Sequence, residues 1–329
     1  MQGAGTLDGL CPPGFAEGRH ALGIDVGGTK IAGAIVNLAT GAIAARRQIP
    51  TDCHRGGEPV LEDVARLART LMADANRMQV EPLALGVGVA ELVGPTGQVF
   101  SDYRIKWKGI DIQDRLRAFL SNRARTEVTV SSDVRAAALA EARFGSGRGG
   151  SDFFYLTIGT GVSGVLVQNG VPYAGSRGAA LVIANGPTLT HCAHCGHMTS
   201  HVVEDIASGP GLAAAYAFGC RAEDVLAAAH AGDARAVAVI NHATHELGRV
   251  VALLVNSLDP ATVVIGGGLG CAPGRYFDTL TKAIHAGLWD ADVHDLPVLQ
   301  STLGRDAGII GAAATSTEKE PANRPHQST

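Results

Sequence analysis

The chain has no long hydrophobic run, no excess of positive charge and no dense set of paired cysteines, and each absence removes a class of function. No stretch of its 329 residues approaches the roughly 18 uninterrupted apolar residues that a membrane-spanning helix needs. Lys and Arg total 27 against 31 Asp and Glu, a net charge of −4, so no basic stripe is available to neutralise nucleic-acid phosphates. The opening segment carries Pro12, Pro13, Glu17 and Arg19 and lacks the apolar centre of a secretion signal. Residues 1–20 therefore read as a flexible leader, and the protein is expected in the cytoplasm. Of the six cysteines, Cys11, Cys53, Cys220 and Cys271 are scattered, whereas Cys192 and Cys195 stand together among histidines. That grouping fits metal binding in a reducing compartment better than a disulfide framework.

What is present has the balance of a globular enzyme, 46% apolar and 18% charged, and the length of two domains. Short apolar runs alternate with helical segments, which predicts an α/β protein. Residues 21–35 read as a strand, a glycine turn and a returning strand. Residues 59–78 predict an amphipathic helix with Val60, Val64, Leu67 and Leu71 on one face. Further helices are expected over 110–120, 134–144, 211–218, 222–231 and 234–258, and strands over 83–89, 128–130, 152–158, 164–168 and 261–265. Strand–turn–strand units around Asp25 and around Gly159 point to an internal duplication, with a cleft between two lobes. The expected division is 21–130, joined by a helix near 306–314, and 131–305, followed by a polar, disordered tail over 315–329.

The most informative segment is Gly23-Ile24-Asp25-Val26-Gly27-Gly28-Thr29-Lys30. An acidic residue ends a buried strand, and two glycines let the backbone approach an anion closely. Thr29 and Lys30 add a hydroxyl and a cation. The spacing matches neither the P-loop nor the dinucleotide loop, and a plain glycine hairpin is the alternative. A second tight turn, Gly159-Thr160-Gly161, is followed by Ser163 and Gly164. Two such turns facing one another can hold a triphosphate, with Asp25 holding Mg²⁺ through water.

With Val264-Ile265-Gly266-Gly267-Gly268 and Glu204-Asp205-Ile206-Ala207-Ser208-Gly209, these two segments resemble the ROK family of sugar kinases, within the actin/hexokinase superfamily. The resemblance runs from about Ala21 to Ala314. It implies a two-lobed, ribonuclease H-like α/β fold with an interlobe cleft, ATP and Mg²⁺ as cofactors, and a small sugar-like substrate. It places Gly266, Gly267 and Gly268 against the adenosine, with Ser208-Gly209-Pro210-Gly211 starting a nearby helix. Asp133 corresponds to the family's catalytic aspartate, the base that takes the acceptor hydroxyl's proton; Ser132 stands where asparagine is usual. The competing reading is that Asp133 only caps the helix that follows it. Ser132, Asp133, Glu204 and Asn185 are the candidate substrate contacts, with Glu91 and Asp102 as further replacements. A homodimer or homotetramer is also implied, with the apolar helix 234–258 offering an interface.

Two departures stand out. His191-Cys192-Ala193-His194-Cys195-Gly196-His197-Met198-Thr199-Ser200-His201 suits a tetrahedral structural Zn²⁺ on Cys192, Cys195 and His201, with His197, His194 or His191 as fourth ligand. The family pattern has a third cysteine here and this chain has none. Just upstream, the family reads Gly-Glu-Ile-Gly-His, whose Glu and His hold sugar hydroxyls. Here the matching residues are Ala180-Leu181-Val182-Ile183-Ala184. The expectation is a kinase for an unusual ring, a C7-cyclitol or amino sugar phosphorylated on its exocyclic hydroxymethyl, with an ordinary hexose or N-acetylmannosamine kinase as the alternative. A non-catalytic sugar sensor of the same family is the reading from another class. Such sensors carry an N-terminal DNA-binding domain, for which some twenty residues leave no room.

Overall fold

In the computed structural model, described for residues 15–120, 127–150, 152–191, 195–289 and 295–316, the chain divides into two compact units. One comprises residues 1–140 and 307–329, the other 141–306. The expected boundary near 130 thus moves to 140. The helix bearing Asp133 spans this division; its residues 133–140 go with the first unit, where the Ala136 carbonyl packs directly on Gly311 of the last helix.

The first unit opens with β1 (His20–Val26), β2 (Lys30–Asn37) and β3 (Ile43–Pro50), three antiparallel strands. Helix α1 (Gly57–Arg77) crosses to β4 (Pro82–Val89), which pairs parallel to β1. Helix α2 (Ile112–Phe119) then leads to β5 (Glu127–Ser132), parallel to β4, and α3 (Asp133–Phe144) follows. The sheet order is β3-β2-β1-β4-β5. Its core gathers Ile24, Ile35, Leu85 and Trp107 around the face of α1 that the periodicity predicts, where Val60, Val64, Leu67 and Leu71 are all buried. Residues 15–20 are not loose. Phe15 is 2% exposed, and its carbonyl accepts bonds from His20 Nε2 and Asn37 Nδ2. Residues 1–14 lie outside the described residues.

The second unit repeats the plan. Strands β6 (Asp152–Ile158), β7 (Val162–Gln168) and β8 (Val171–Pro172) form an antiparallel meander. The hairpin β9 (Pro187–His191) and β10 (Met198–Val202) stands apart as its own two-stranded sheet. Helices α4 (Val203–Ala207), α5 (Gly209–Tyr216), α6 (Ala222–His230) and α7 (Ala234–Leu258) lead to β11 (Val263–Gly266), parallel to β6. Helix α8 (Arg275–Ala286) then leads to β12 (Val298–Gln300), parallel to β11. The order β8-β7-β6-β11-β12 mirrors the first sheet strand for strand. A duplication that is faint in residue identity is thus plain in topology.

The apolar stripe of α7 is consumed inside this unit. Ile240, Leu247, Val251 and Val255 are buried with Tyr276, Leu280 and Ile284 of α8, leaving Leu253 exposed. That stripe is core, while Leu258, like Leu253, remains exposed on the same helix. Among the described residues, no helix is long and apolar enough to cross a membrane.

The last helix, α9 (Ala307–Thr315), groups with the first unit and lies over β1 and β4. Glycines make this possible. A Cβ on Gly23 would overlap the Ile309 carbonyl, and one on Gly86 would overlap the Ala312 carbonyl. The expected polar tail begins later than 315, since Thr315 is helical and its hydroxyl donates to Ala312 O at 2.7 Å. Residues 317–329 lie outside the described residues.

Candidate active site

In the first unit, parallel pairing of β1, β4 and β5 brings the ends of β1 and β5 to the same edge, and with them Asp25 and Asp133. Each carboxyl is recessed, although part of each residue stays accessible. Burial pushes the Asp25 carboxyl up to about 6, and the nearby Lys30 charge partly offsets this. The Asp133 carboxyl rises to about 7, chiefly through burial and then through repulsion from Asp25. The two acids are neighbours through β4: Gly88, paired with Asp25, lies so close to the start of α3 that a Cβ on it would sit 3.5 Å from Asp133 Cα. Helix α9 closes the other side of Asp25, so tightly that a Cβ on Gly308 would lie 2.9 Å from the Asp25 carboxyl carbon.

The competing role for Asp133, that of a helix cap, is filled by its neighbour. Ser132 is fully buried, and its Oγ accepts the Arg135 N–H at 3.3 Å. The Ser132 hydroxyl oxygen is thus engaged with α3, and the residue has no exposed surface in this structure. Asp133 Oδ1 accepts from Val134 N at 2.8 Å. Buried beside it, the Arg135 guanidinium is pulled down to about 10 by burial and donates to Val93 O at 2.6 Å. A carboxylate poised near neutrality can accept a proton from a hydroxyl at the pH of a cell. If Asp133 does so, kcat/KM should halve near pH 7 and fall about tenfold per unit below it. A rate profile flat from pH 5 to 8 would contradict that.

Around Asp25 the turn to β2 is tight. Gly27 N donates to Lys30 O at 3.0 Å, Thr29 is exposed, and the Cys53 thiol donates to Gly28 O at 3.2 Å. Glu91, a proposed ring contact, is instead occupied. It is 4% exposed, and its carboxylate accepts from the Ser101 hydroxyl and from the N–H groups of Tyr103, Arg104 and Ile105. Asp102 accepts from Lys108 N at 2.8 Å.

The second unit assembles its own set. Gly159 N donates to Gly161 O at 2.9 Å, which closes the turn. Glu204 braces it: Oε2 accepts Val162 N at 2.7 Å and Oε1 accepts Asn185 Nδ2 at 3.0 Å. The loop after β11 docks on the same turn, with Leu269 N donating to Ile158 O at 2.9 Å. Gly267 must be glycine there, having φ +83° and no room for a Cβ beside Ile158 O. Gly209 N donates to Gly159 O at 2.8 Å, and Ser208 caps α5 by accepting Gly211 N at 3.2 Å. Within the second unit, Gly159-Thr160-Gly161, Gly209 and the loop over 266–269, with Glu204 and Asn185, thus meet around one turn. Leu181 and Ala184 are 6% and 2% exposed, and the Ala184 carbonyl accepts Glu204 N at 3.0 Å.

The cysteine/histidine segment does not assemble among the described residues. Cys192 and His194 lie outside them, Cys195 and His197 are exposed, and His201 faces away on β10 with its Nε2 3.5 Å from Glu246 Oε2 of α7. Among the described residues, no three His, Cys, Asp or Glu groups are placed to hold a metal ion. Asp25, an oxygen donor at a glycine turn, does fit an oxygen-seeking Mg²⁺.

Comparison with known proteins gives a consistent answer. The model of the ROK family matches residues 21–319. A glucokinase of Halalkalibacterium halodurans is 30% identical over 334 residues, covering 92% of this chain and 96% of the relative. An N-acetylmannosamine kinase of Haemophilus influenzae is 29% identical over 297 residues, covering 89% and 94%. Among solved structures, a ROK family glucokinase from Streptomyces griseus, in complex with glucose and AMPPNP, superposes with a TM-score of 0.76 at 25% identity, over 90% of this chain and 98% of that one. A ROK hexokinase from Thermus thermophilus gives 0.72 at 29%, over 90% and 97%. The doubled β-sheet plan and the family pattern agree over nearly the whole length: the chain belongs to the ROK family and has its actin/hexokinase-like fold.

Proposed function

We propose that the chain is an ATP-dependent kinase that phosphorylates a hydroxyl on a sugar-type ring, with Asp133 as the base. The observation that carries this reading is the coupled pair Asp25 and Asp133 on one sheet edge beside a glycine turn. Asp133 takes the proton of the acceptor hydroxyl as its oxygen attacks the terminal phosphorus. Asp25 would hold Mg²⁺, which neutralises phosphate charge when bound. The backbone turns at Gly27-Gly28 and Gly159-Thr160-Gly161, with Thr29 and Lys30, offer N–H groups, a hydroxyl and a cation to the phosphates. Gly266, Gly267 and Gly268 are assigned to the adenosine.

For the acceptor, the reading turns on Leu181 and Ala184. Both are buried and apolar where the family pattern has a glutamate and a histidine for ring hydroxyls. Two hydroxyls left there without partners would cost about 1–3 kcal/mol each. The proposed substrate is therefore a ring other than glucose, a C7-cyclitol or an amino sugar, phosphorylated on its exocyclic hydroxymethyl, with Glu204 and Asn185 among its contacts. An ordinary hexose or N-acetylmannosamine kinase is the second reading, favoured by the activities of the curated relatives. A coupled ADP-release assay over glucose, N-acetylmannosamine, kanosamine and valiolone separates the two. The expected result is kcat/KM for glucose at least about tenfold below the best acceptor, which is 1.4 kcal/mol; glucose as the best acceptor would establish the second reading instead.

Support for zinc is confined to the ligand chemistry of residues 191–201, and no step of the reaction is routed through it. Elemental analysis reading near one zinc per purified chain would support the set on Cys192, Cys195, His201 and His197, and a reading near zero would remove it.

A further inference from the structure

The most elaborately anchored loop of the first unit has no part in the function proposed above. Glu91, just beyond β4, buries its carboxylate and accepts from the Ser101 hydroxyl, from Tyr103 N at 2.9 Å, from Arg104 N at 2.5 Å and from Ile105 N at 2.7 Å. Ser101 Oγ in turn accepts Leu92 N at 2.8 Å. On the far side, Ile105 and Trp107 are fully buried, and the Trp107 indole N–H donates to Gly57 O at 2.7 Å. Burying a carboxylate is costly unless its lone pairs are filled, and here four donors from one short loop fill them. The result is a backbone held at three successive N–H groups.

Between these anchors Asp102, Tyr103, Arg104 and Lys106 stand exposed, and Arg104 is the one whose stem reaches the turn after β1. Arg104 is exposed and makes no ion pair with a described side chain. Its stem lies over the phosphate turn: a Cβ built on Gly28 would sit 3.7 Å from Arg104 Cδ. The other cation of that turn, Lys30, partly offsets the rise of the Asp25 carboxyl, so Arg104 would add a second positive charge there.

We propose that Arg104 is a further catalytic residue, whose guanidinium contacts the terminal phosphate of the nucleotide while Glu91 positions the loop that carries it. The assignment rests on the kinase reading above and adds a residue that reading does not use. A planar guanidinium offers two parallel N–H donors to phosphate oxygens, and its charge is permanent. In the transfer, the acceptor oxygen forms a bond to the terminal phosphorus, the bridging P–O bond breaks, and the nucleoside diphosphate leaves with that electron pair. The acceptor proton passes to Asp133. Arg104 makes and breaks no covalent bond; it offsets the negative charge on the moving phosphoryl group, which is where a fixed cation has its largest effect.

The test is kinetic and chemical. With MgATP and the best acceptor of the panel above, Arg104→Ala should lower kcat about 10²–10³-fold and leave the acceptor KM within about threefold. Calorimetry should show weaker AMPPNP binding. Arg104→Lys should recover part of the rate, and low concentrations of guanidinium should partly restore Arg104→Ala without changing the wild type. A structural role would give neither rescue. Glu91→Gln, tested for an unchanged melting curve, should lower kcat in the same direction because the loop loses its anchor. The assignment is overturned if Arg104→Ala keeps kcat and nucleotide affinity within threefold of wild type, if only the acceptor KM rises, or if guanidinium rescues nothing. A wild-type chain that releases no ADP with any acceptor would overturn the kinase reading, and this assignment with it.

Discussion

Asp133→Asn is expected to lower kcat by at least about 10²–10⁴-fold and, at the same time, to raise thermal stability at pH 8. The two effects have one origin. The Asp133 carboxyl titrates near 7 in the fold and near 3.8 in an unfolded chain, because burial and the Asp25 charge both penalise its ionised form. Between those values the folded state binds the extra proton, so the stability drawn from this group falls as pH rises from about 4 to 7 and stays low above it. Asparagine cannot ionise and escapes that penalty. Its advantage in melting temperature should therefore be greatest at pH 8 and shrink towards pH 4. The same substitution removes the carboxylate assigned to hold the proton taken from the acceptor. Turnover within tenfold of wild type would end the assignment of Asp133 as base, whatever the melting curves show.

Much of this was legible before any coordinates. Hydrophobic alternation fixes β1, β4 and β6 to within a residue or two, and the buried face of α1 follows from Val60, Val64, Leu67 and Leu71 alone. Asp25 before Gly27-Gly28 stood out because an acid at the end of a buried strand is costly without a task. Other features were hidden for physical reasons. Strand β3, with Arg46, Arg47 and Gln48, is too polar to read as a strand; it pairs at the sheet edge, and Arg47 finds Asp74 at 2.9 Å. The hairpin β9–β10 was obscured because its histidines and cysteines drew attention to metal chemistry rather than to the alternation of Thr188, Leu189 and Thr190. Nothing in the sequence marks Ser132, rather than Asp133, as the residue whose side chain accepts the Arg135 N–H at the start of α3. The anchoring by Glu91 joins residues ten to fourteen positions apart without periodicity, so nothing in the sequence announces it.

Gly86→Val is expected to destabilise the first unit severely, without touching a single candidate site residue. Gly86 lies mid-strand in β4, and a side chain there would run into the Ala312 carbonyl of α9. Ordinary overpacking costs about 1–3 kcal/mol because side chains can turn aside. Here the obstacle is backbone. Helix α9 is pinned on three fronts, with Gly23 beneath Ile309 O, Gly86 beneath Ala312 O and Gly311 against Ala136 O. Relief at Gly86 would require lifting α9 and giving up the burial of Ile309, Ile310 and Ala313 together. A loss above about 4 kcal/mol follows, a large share of the 5–15 kcal/mol that holds a typical domain, and a drop in melting temperature of about 10 °C or more. Gly311→Val should behave alike, since it meets the same contact from the α3 side. Gly186→Ala is the control, having open space around its Cβ position and no left-handed φ, and it should leave the melting curve unchanged. Because Gly308, one turn earlier in α9, presses on the Asp25 carboxyl, any Gly86 or Gly311 variant that does fold with α9 displaced should also lose turnover. A folded Gly86→Val chain with wild-type stability and full activity would show that α9 does not hold β4 and Asp25 in place.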